Sequence, residues 1–305
     1  MEVTEFHGVR IGLVDPAEAA RTDWTPYRAE LDVVRVERPP VGCWADLAAA
    51  GFALKPFLVT WVAPAVTGEA EFVAALPRKE RQTIRAARDQ LARERLRLSI
   101  EPVDDRLLDA FLPLYARRIA EMRHGWAVAC EQREMIMAEA DRHFAVCAYD
   151  GDDLVGCTLG WHRPHLDIVQ LRFSAVEARR RRWGLARLLY LAAVDETRRR
   201  GVATASLGMD PNLYGHIAKP GLFTFKRRLG FVPLPSQFVD PGTGVDHADR
   251  LLHLGRLADP TFFLAYAGAE PGRELRMDLF SRASDVDLRP WRAAFITGYR
   301  THRVP

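Results

Sequence analysis

The sequence predicts an α/β protein, on three observations. From about residue 96 onward, β-like and helical patterns follow one another in the order β-α-α-β-β-β-α-β-α. Two apolar runs, Phe144–Tyr149 and Leu154–His162, are joined by Asp150-Gly151-Asp152-Asp153, a sequence suited to closing a hairpin. The 305 residues are 48% hydrophobic and 27% charged, the balance of a folded globular chain of about two domains rather than a disordered, collagen-like or coiled-coil one.

The elements follow in order. Val9–Val14 and Leu31–Val36 are short β-like runs, Pro39-Pro40 makes a break, Trp44–Ala50 suits a short helix and Phe57–Val62 a buried strand. Ile84, Ala87 and Leu91 recur at helical spacing inside a basic helix from about Arg78 to Glu94. Leu96–Val103 alternates as a strand. Asp104-Asp105 caps a helix through Leu107, Phe111, Leu114 and Ile119, and a second helix covers Glu131–Asp141. After the hairpin, Leu166–Val176 reads as a long strand, Gly184–Arg199 as a helix, Val202–Met209 as a strand and Leu222–Leu229 as a helix ending at Gly230. The C-terminal stretch adds strands at Thr261–Tyr266 and Leu275–Leu279 and an amphipathic helix near Trp291–Tyr299.

Composition narrows the function. The net charge of +3 is too small to argue for nucleic acid, and no apolar run reaches the ~18 residues of a membrane helix. The N-terminus lacks a basic-then-apolar leader, so a cytoplasmic location is expected. Cys43, Cys130, Cys147 and Cys157 form no Cys-x-x-Cys pair, and His162-x-x-His165 has no third partner nearby, so no metal site is expected. Cys147 and Cys157 read as buried thiols facing each other across the hairpin. Trp126, Trp161 and Phe223 are read either as pocket walls or as core.

The informative segment is Val176-Glu-Ala-Arg-Arg-Arg181-Arg-Trp-Gly184-Leu-Ala186, which follows a strand and opens a helix. Such a turn exposes N–H groups that the helix cannot satisfy internally, and the helix dipole adds positive potential there. Gly184 admits close approach to the backbone, and the arginines add full charges. The turn is therefore expected to hold a phosphate.

This segment resembles the Arg/Gln-x-x-Gly-x-Gly/Ala signature of the GNAT (Gcn5-related) N-acetyltransferase superfamily, here Arg181-x-x-Gly184-x-Ala186. Val176 stands at the family's upstream spacing, and Phe225-Lys226-Arg227-Arg228-Leu229-Gly230-Phe231 is similar to its closing helix and Gly-Phe pair. The resemblance spans about residues 96–235 and implies a GNAT fold with a central mixed, splayed sheet, preceded by a smaller partial GNAT-like half. It implies that Arg181, Arg182, Trp183, Gly184, Leu185, Ala186 and Arg187 hold the phosphate of a thioester donor, with the pantetheine arm running between Leu166–Val176 and Val202–Met209. Backbone N–H groups near Ser174 to Val176 would hold the arm and polarise the thioester carbonyl. An acceptor amine would attack directly. The co-substrate would be acyl-CoA or acyl-phosphopantetheine, with no permanently bound cofactor.

Many superfamily enzymes place a tyrosine acid one residue after the position of Phe225, where this chain has Lys226. The stretch Met209–Gly221 is longer than usual and carries Asp210, Asn212, Tyr214 and His216. His216 or Asp210 is read as the general base and Tyr214 as a replacement acid, each reading equally as a turn-forming or acceptor-binding residue; His162, at the end of a central strand, is a further base candidate. Gln170, Asn212 and Lys226 are read as substrate-binding.

Leu76-Pro-Arg-Lys-Glu-Arg-Gln-Thr-Ile-Arg-Ala-Ala-Arg88 and Gly221-Leu-Phe-Thr-Phe-Lys226 resemble the Fem-type branch of the same superfamily, aminoacyl-tRNA-dependent transferases with two GNAT-like halves. Residues 1–95 would then be a reduced first half or extension, 96–240 the acyltransferase domain, and 241–305 strands and a helix completing the sheet. The expected function is N-acyl transfer from acyl-CoA or an acyl-carrier protein to a small-molecule amine, as in secondary metabolism or envelope synthesis. The run Arg179–Arg182 would suit an acidic carrier. The alternatives are transfer from charged tRNA, with the basic helix 78–97 on phosphates, and a non-catalytic pantetheine-binding module. No membrane or DNA partner is expected.

Overall fold

The computed structural model describes residues 1–305. Along the chain it forms β1 (Glu2–Phe6), β2 (Val9–Leu13), α1 (Pro16–Arg21), β3 (Val33–Glu37), α2 (Trp44–Ala49), β4 (Ala53–Pro56), β5 (Leu58–Pro64), α3 (Glu69–Ala75) and α4 (Arg78–Arg93). Next come β6 (Arg97–Glu101), α5 (Asp105–Ala120), α6 (Val128–Glu131), α7 (Arg133–Ala138), β7 (His143–Asp150), β8 (Asp153–Arg163), β9 (Ile168–Val176), α8 (Ala178–Arg181), α9 (Leu185–Arg199) and β10 (Thr204–Pro211). The chain closes with α10 (Pro220–Arg228), β11 (Val232–Pro235), β12 (Asp246–Leu251), β13 (Thr261–Tyr266), β14 (Leu275–Ser281) and β15 (Ile296–Arg303). No helix is long and apolar enough to cross a membrane.

Two compact units result. One comprises Met1–Trp61, Met209–Arg227 and Val232–Pro305; the other comprises Val62–Gly208 and Arg228–Phe231. These units interleave along the chain, whereas the division 1–95, 96–240 and 241–305 is sequential. The difference arises because β12 returns late in the sequence to pair antiparallel with both β3 and β4.

The second unit carries most of a seven-stranded mixed sheet of order β11-β5-β10-β9-β8-β7-β6. From β6 to β9 each neighbouring pair is antiparallel, and β9–β10 is parallel. The hairpin loop is Gly151-Asp152, and the register sets Cys147 opposite Cys157 with their sulfurs 3.8 Å apart, both buried and free. On one face of these strands α5 buries Leu107, Leu108, Phe111, Leu114 and Tyr115 against Cys147, Cys157, Leu159 and Ala175. The helix begins where Asp104 accepts a bond from the Leu107 N–H at 2.7 Å. Removing that cap with Asp104→Ala is expected to lower stability by about 1 kcal/mol in urea denaturation.

The first unit holds a five-stranded sheet, β1-β2-β3-β12-β4, and a three-stranded sheet, β13-β14-β15. Val9, Ile11, Val33, Ala53, Leu251, Leu254, Phe263 and Phe280 form its buried cluster. Two sequence expectations are corrected here. The segment near Trp291–Tyr299 is not a helix, because Ile296–Arg303 pairs in parallel with β14. Residues 241–305 do not extend one sheet; β12 joins the five-stranded sheet and β13–β15 build their own. In the second unit, Glu131–Asp141 is broken into α6 and α7 at Gln132.

Candidate functional site

The parallel ladder between β9 and β10 is short: Ile168, Val169 and Gln170 pair with Thr204, Ala205 and Ser206, and no pairs follow. The cause lies on both strands. In β10, Gly208 has φ +73, a left-handed conformation that L side chains disfavour, and its N–H bonds the Ser206 hydroxyl at 3.1 Å. In β9, Phe173 has φ +54, and the register with β8 slips between Cys157 and Leu159, so the strand bulges there. The two strands thus part beyond Gln170. From Leu171 to Val176, β9 keeps its β8 partner and has no ladder to β10. Backbone N–H and C=O groups along that edge have no ladder partner on β10. Ser174 is anchored by a 2.7 Å hydrogen bond to Thr158, and Val176 is buried.

The turn after β9 leads to α9. Gly184 is its N-cap residue at φ +96, and no side chain caps the helix. Leu185 is wholly buried, Ala186 is half-buried, and the Trp183 indole N–H is buried without a hydrogen-bond partner.

The arginines correct an expectation. They do not form a free cationic ring, because carboxylates distant in sequence neutralise them. Buried Arg180 pairs with Glu94, Glu177 and Asp150. Arg179 meets Asp150 and Glu177, Arg181 meets Glu121 at 2.5 Å, and Arg187 meets the buried Glu80 at 2.5 Å. Arg182 is exposed and forms no ion pair. Helix α4 brings Ala87 beside Gly184, where an added Cβ would lie 3.5 Å from the Ala87 Cβ. The site for an anion at this turn therefore reduces to Arg182 and the uncapped helix start. An acidic carrier protein would likewise meet one uncommitted guanidinium in the run rather than four.

On the α5 face, β9 places Gln170 and Arg172 two residues apart, with Gln170 opposite Trp161 of β8. Arg172 is half-buried, meets no carboxylate, donates to Gln132 at 2.8 Å and lies 3.9 Å from the Phe173 ring centre. Sequence reasoning missed Arg172, whose only local sign was a charge inside an apolar strand. Trp161 stacks on His143, and His162 sits half-buried at the end of β8 opposite Val169.

In the first unit, Asp210, Tyr214 and Lys226 do come together. The Lys226 ammonium donates to Asp210 at 2.7 Å, the Tyr214 hydroxyl donates to its other oxygen at 3.1 Å, and the Trp61 indole donates to that hydroxyl at 3.1 Å. Burial pushes the Tyr214 phenol well above its ordinary pKa, and the Asp210 carboxylate adds to this. Burial lowers Lys226, against the pull of Asp210. A fully buried hydroxyl already donating to a carboxylate is a poor acid, and a carboxylate with both oxygens bonded is a poor base. These two role assignments are corrected accordingly. Asn212 is corrected as well: its amide donates to the Pro56 and Leu264 carbonyls and accepts from the Leu264 N–H, so it braces the fold and has no N–H left to donate to substrate. His216 is buried, its Nε2 3.1 Å from the His7 carbonyl. Phe223 is core beside Trp61 and Tyr214, whereas Trp126 is 68% exposed.

A short parallel ladder that parts at a bulge is thus followed by a helix with glycine at its N-cap. Residues 107–216 match the model of the Acetyltransferase (GNAT) family. That stretch of the chain is similar to the acetyltransferases of this family. No curated protein matches the chain. Among solved structures it is similar to FemX, at 12% identity over 80% of this chain and 81% of that one, with a TM-score of 0.47. It is also similar to a tandem GNAT protein from the clavulanic acid biosynthesis pathway, at 14% identity over 75% and 68% of the two chains, TM-score 0.39. A GCN5-related N-acetyltransferase from Kribbella flavida gives 16% identity, coverage of 82% and 84%, and a TM-score of 0.36.

Proposed function

We propose that the protein is an N-acyltransferase that moves an acyl group from a phosphopantetheine thioester to a small-molecule amine by direct attack. The parting of β9 from β10 beyond Gln170 and Ser206 carries this reading. A pantetheine arm is an extended chain with two amides, and the open β9 edge offers it main-chain partners. One phosphate at the end of the arm meets the uncapped start of α9 and Arg182.

In the reaction the neutral amine adds to the thioester carbonyl, and a β9 backbone N–H stabilises the oxyanion. The C–S bond then breaks. The thiolate leaves with a pKa of ~8.5, so it needs little help from an acid, consistent with a tyrosine that is tied to Asp210. The nitrogen's proton passes to a base, for which His162 at the end of β8 is the candidate. Gln170 and Arg172 orient the acceptor. Such chemistry suits a donor on coenzyme A or on a carrier protein.

Thiol release with acetyl-CoA, an acyl-carrier protein and a panel of amines tests this, with aminoacyl-tRNA as the rival donor. Turnover is expected with a thioester, and Arg182→Glu is expected to raise the donor KM about tenfold, the loss of one charge-assisted hydrogen bond. Transfer from charged tRNA alone, or thioester binding without transfer to any amine, contradicts the proposal.

A further inference from the structure

The first unit carries a polar face unrelated to the donor turn. In the ladders of β12, Arg35 lies opposite Asp249, while Glu37 and Lys55 both lie opposite His247. Side chains alternate along strands, so all five share one face of the sheet. Asp249 accepts two hydrogen bonds from Arg35, each 2.8 Å, and meets the Lys55 ammonium at 3.1 Å. Lys55 and Asp249 are 1% and 2% exposed, so two cations share one buried carboxylate.

Beside this cluster lies a cleft of about 590 Å³ lined by Arg35, Glu37, Arg38, Phe57, Val245 and His247. Consecutive strand residues normally point to opposite faces. Arg38 escapes that rule through a φ of +50, held by a 2.8 Å bond from its N–H to the Asp246 carbonyl, and lines the cleft together with Glu37. A non-glycine residue in this conformation is uncommon and worth tracing to a role. Arg38 forms no ion pair. His247 is 4% exposed, yet its Nδ1 has no hydrogen-bond partner. A buried ring nitrogen left without a partner is costly, and a ligand group would satisfy it.

Counting Arg35, Lys55 and Arg38 against Asp249 and Glu37, the face holds one positive charge in excess. Burial holds the His247 pKa at about 3, so the ring is neutral and does not add to that charge. One excess charge and one uncommitted guanidinium match a monoanion, and Glu37 at the rim repels a dianion. We propose that this cleft binds a small molecule through a carboxylate, which lies against Arg38 and Nδ1 of His247, with the ligand's apolar body on Phe57 and Val245. The proposal is independent of the donor reading.

Calorimetric titration of the full chain with benzoate, benzamide and inorganic phosphate tests it. Benzoate is expected to bind at least about tenfold more tightly than either of the others, the worth of a charge-assisted contact. Arg38→Asn keeps a residue that tolerates the left-handed backbone and is expected to weaken benzoate at least about tenfold with an unchanged melting temperature. Glu37→Gln is expected to tighten it, and Arg182→Glu to leave it at the wild-type value. Equal binding of benzoate and benzamide, tighter binding of phosphate, or full affinity in Arg38→Asn overturns the proposal.

Discussion

Asp249→Ala is expected to destabilise the protein by about 3–5 kcal/mol, because it strands the Arg35 and Lys55 cations in the interior. The same ion cluster makes stability depend on acid. Burial alone would raise the Asp249 pKa, but Arg35 and Lys55 overcome this and hold it far below the ordinary carboxylate range. A group with a depressed folded pKa contributes stability that is fully present above its unfolded value, ~3.9, and is lost as pH falls below it toward the folded pKa. Urea midpoints across that range should therefore decline more steeply in the wild type than in Asp249→Ala. Replacing the three partners together, with Arg35→Leu, Lys55→Met and Asp249→Ala, should recover much of the loss, since no unpaired charge remains. A loss below about 1 kcal/mol in the single variant would mean that the two cations find water instead.

Gly208→Val is expected to lower acyl transfer about a hundredfold while the protein still folds, since small misplacements of reacting groups carry penalties of that order. At φ +73 a β-branched residue is strained, and a Cβ there would come within 3.1 Å of the Gln170 amide nitrogen. Relief of that strain is expected to straighten β10 and let its ladder with β9 run on past Ser206, closing the edge proposed for the donor. The loss should appear in kcat/KM for the thioester with circular dichroism unchanged. Wild-type kcat/KM in this variant would show that the parting of the strands is not needed for transfer.

The sequence made the strands and helices around the turn legible because their apolar residues keep a clean period. β7, β8, β9 and α9 fall within a few residues of their expected bounds. β12 escaped notice for a physical reason: its inward positions are His247 and Asp249, so the alternation that marks a strand is hidden by the ion cluster it serves. The stretch Trp291–Tyr299 has helical spacing, but pairing with β14 overrides local preference. The candidate site was legible in its backbone and not in its charges. Gly184 and the strand-to-helix turn stand where the motif put them. The partners of the arginines (Glu94, Glu121 and Asp150 for the run 179–182, Glu80 for Arg187) come from other elements, and a local reading of the sequence could not see them. Likewise Asp210, Tyr214 and Lys226 were singled out together, but only the fold shows that they satisfy one another.

The most direct test of the donor site is the backbone amide spectrum of the protein titrated with a phosphopantetheine thioester. The account predicts shifts concentrated at residues 171–176 of β9 and 184–187 at the start of α9. Saturable binding that leaves both segments unmoved, with shifts confined to other elements, would contradict it.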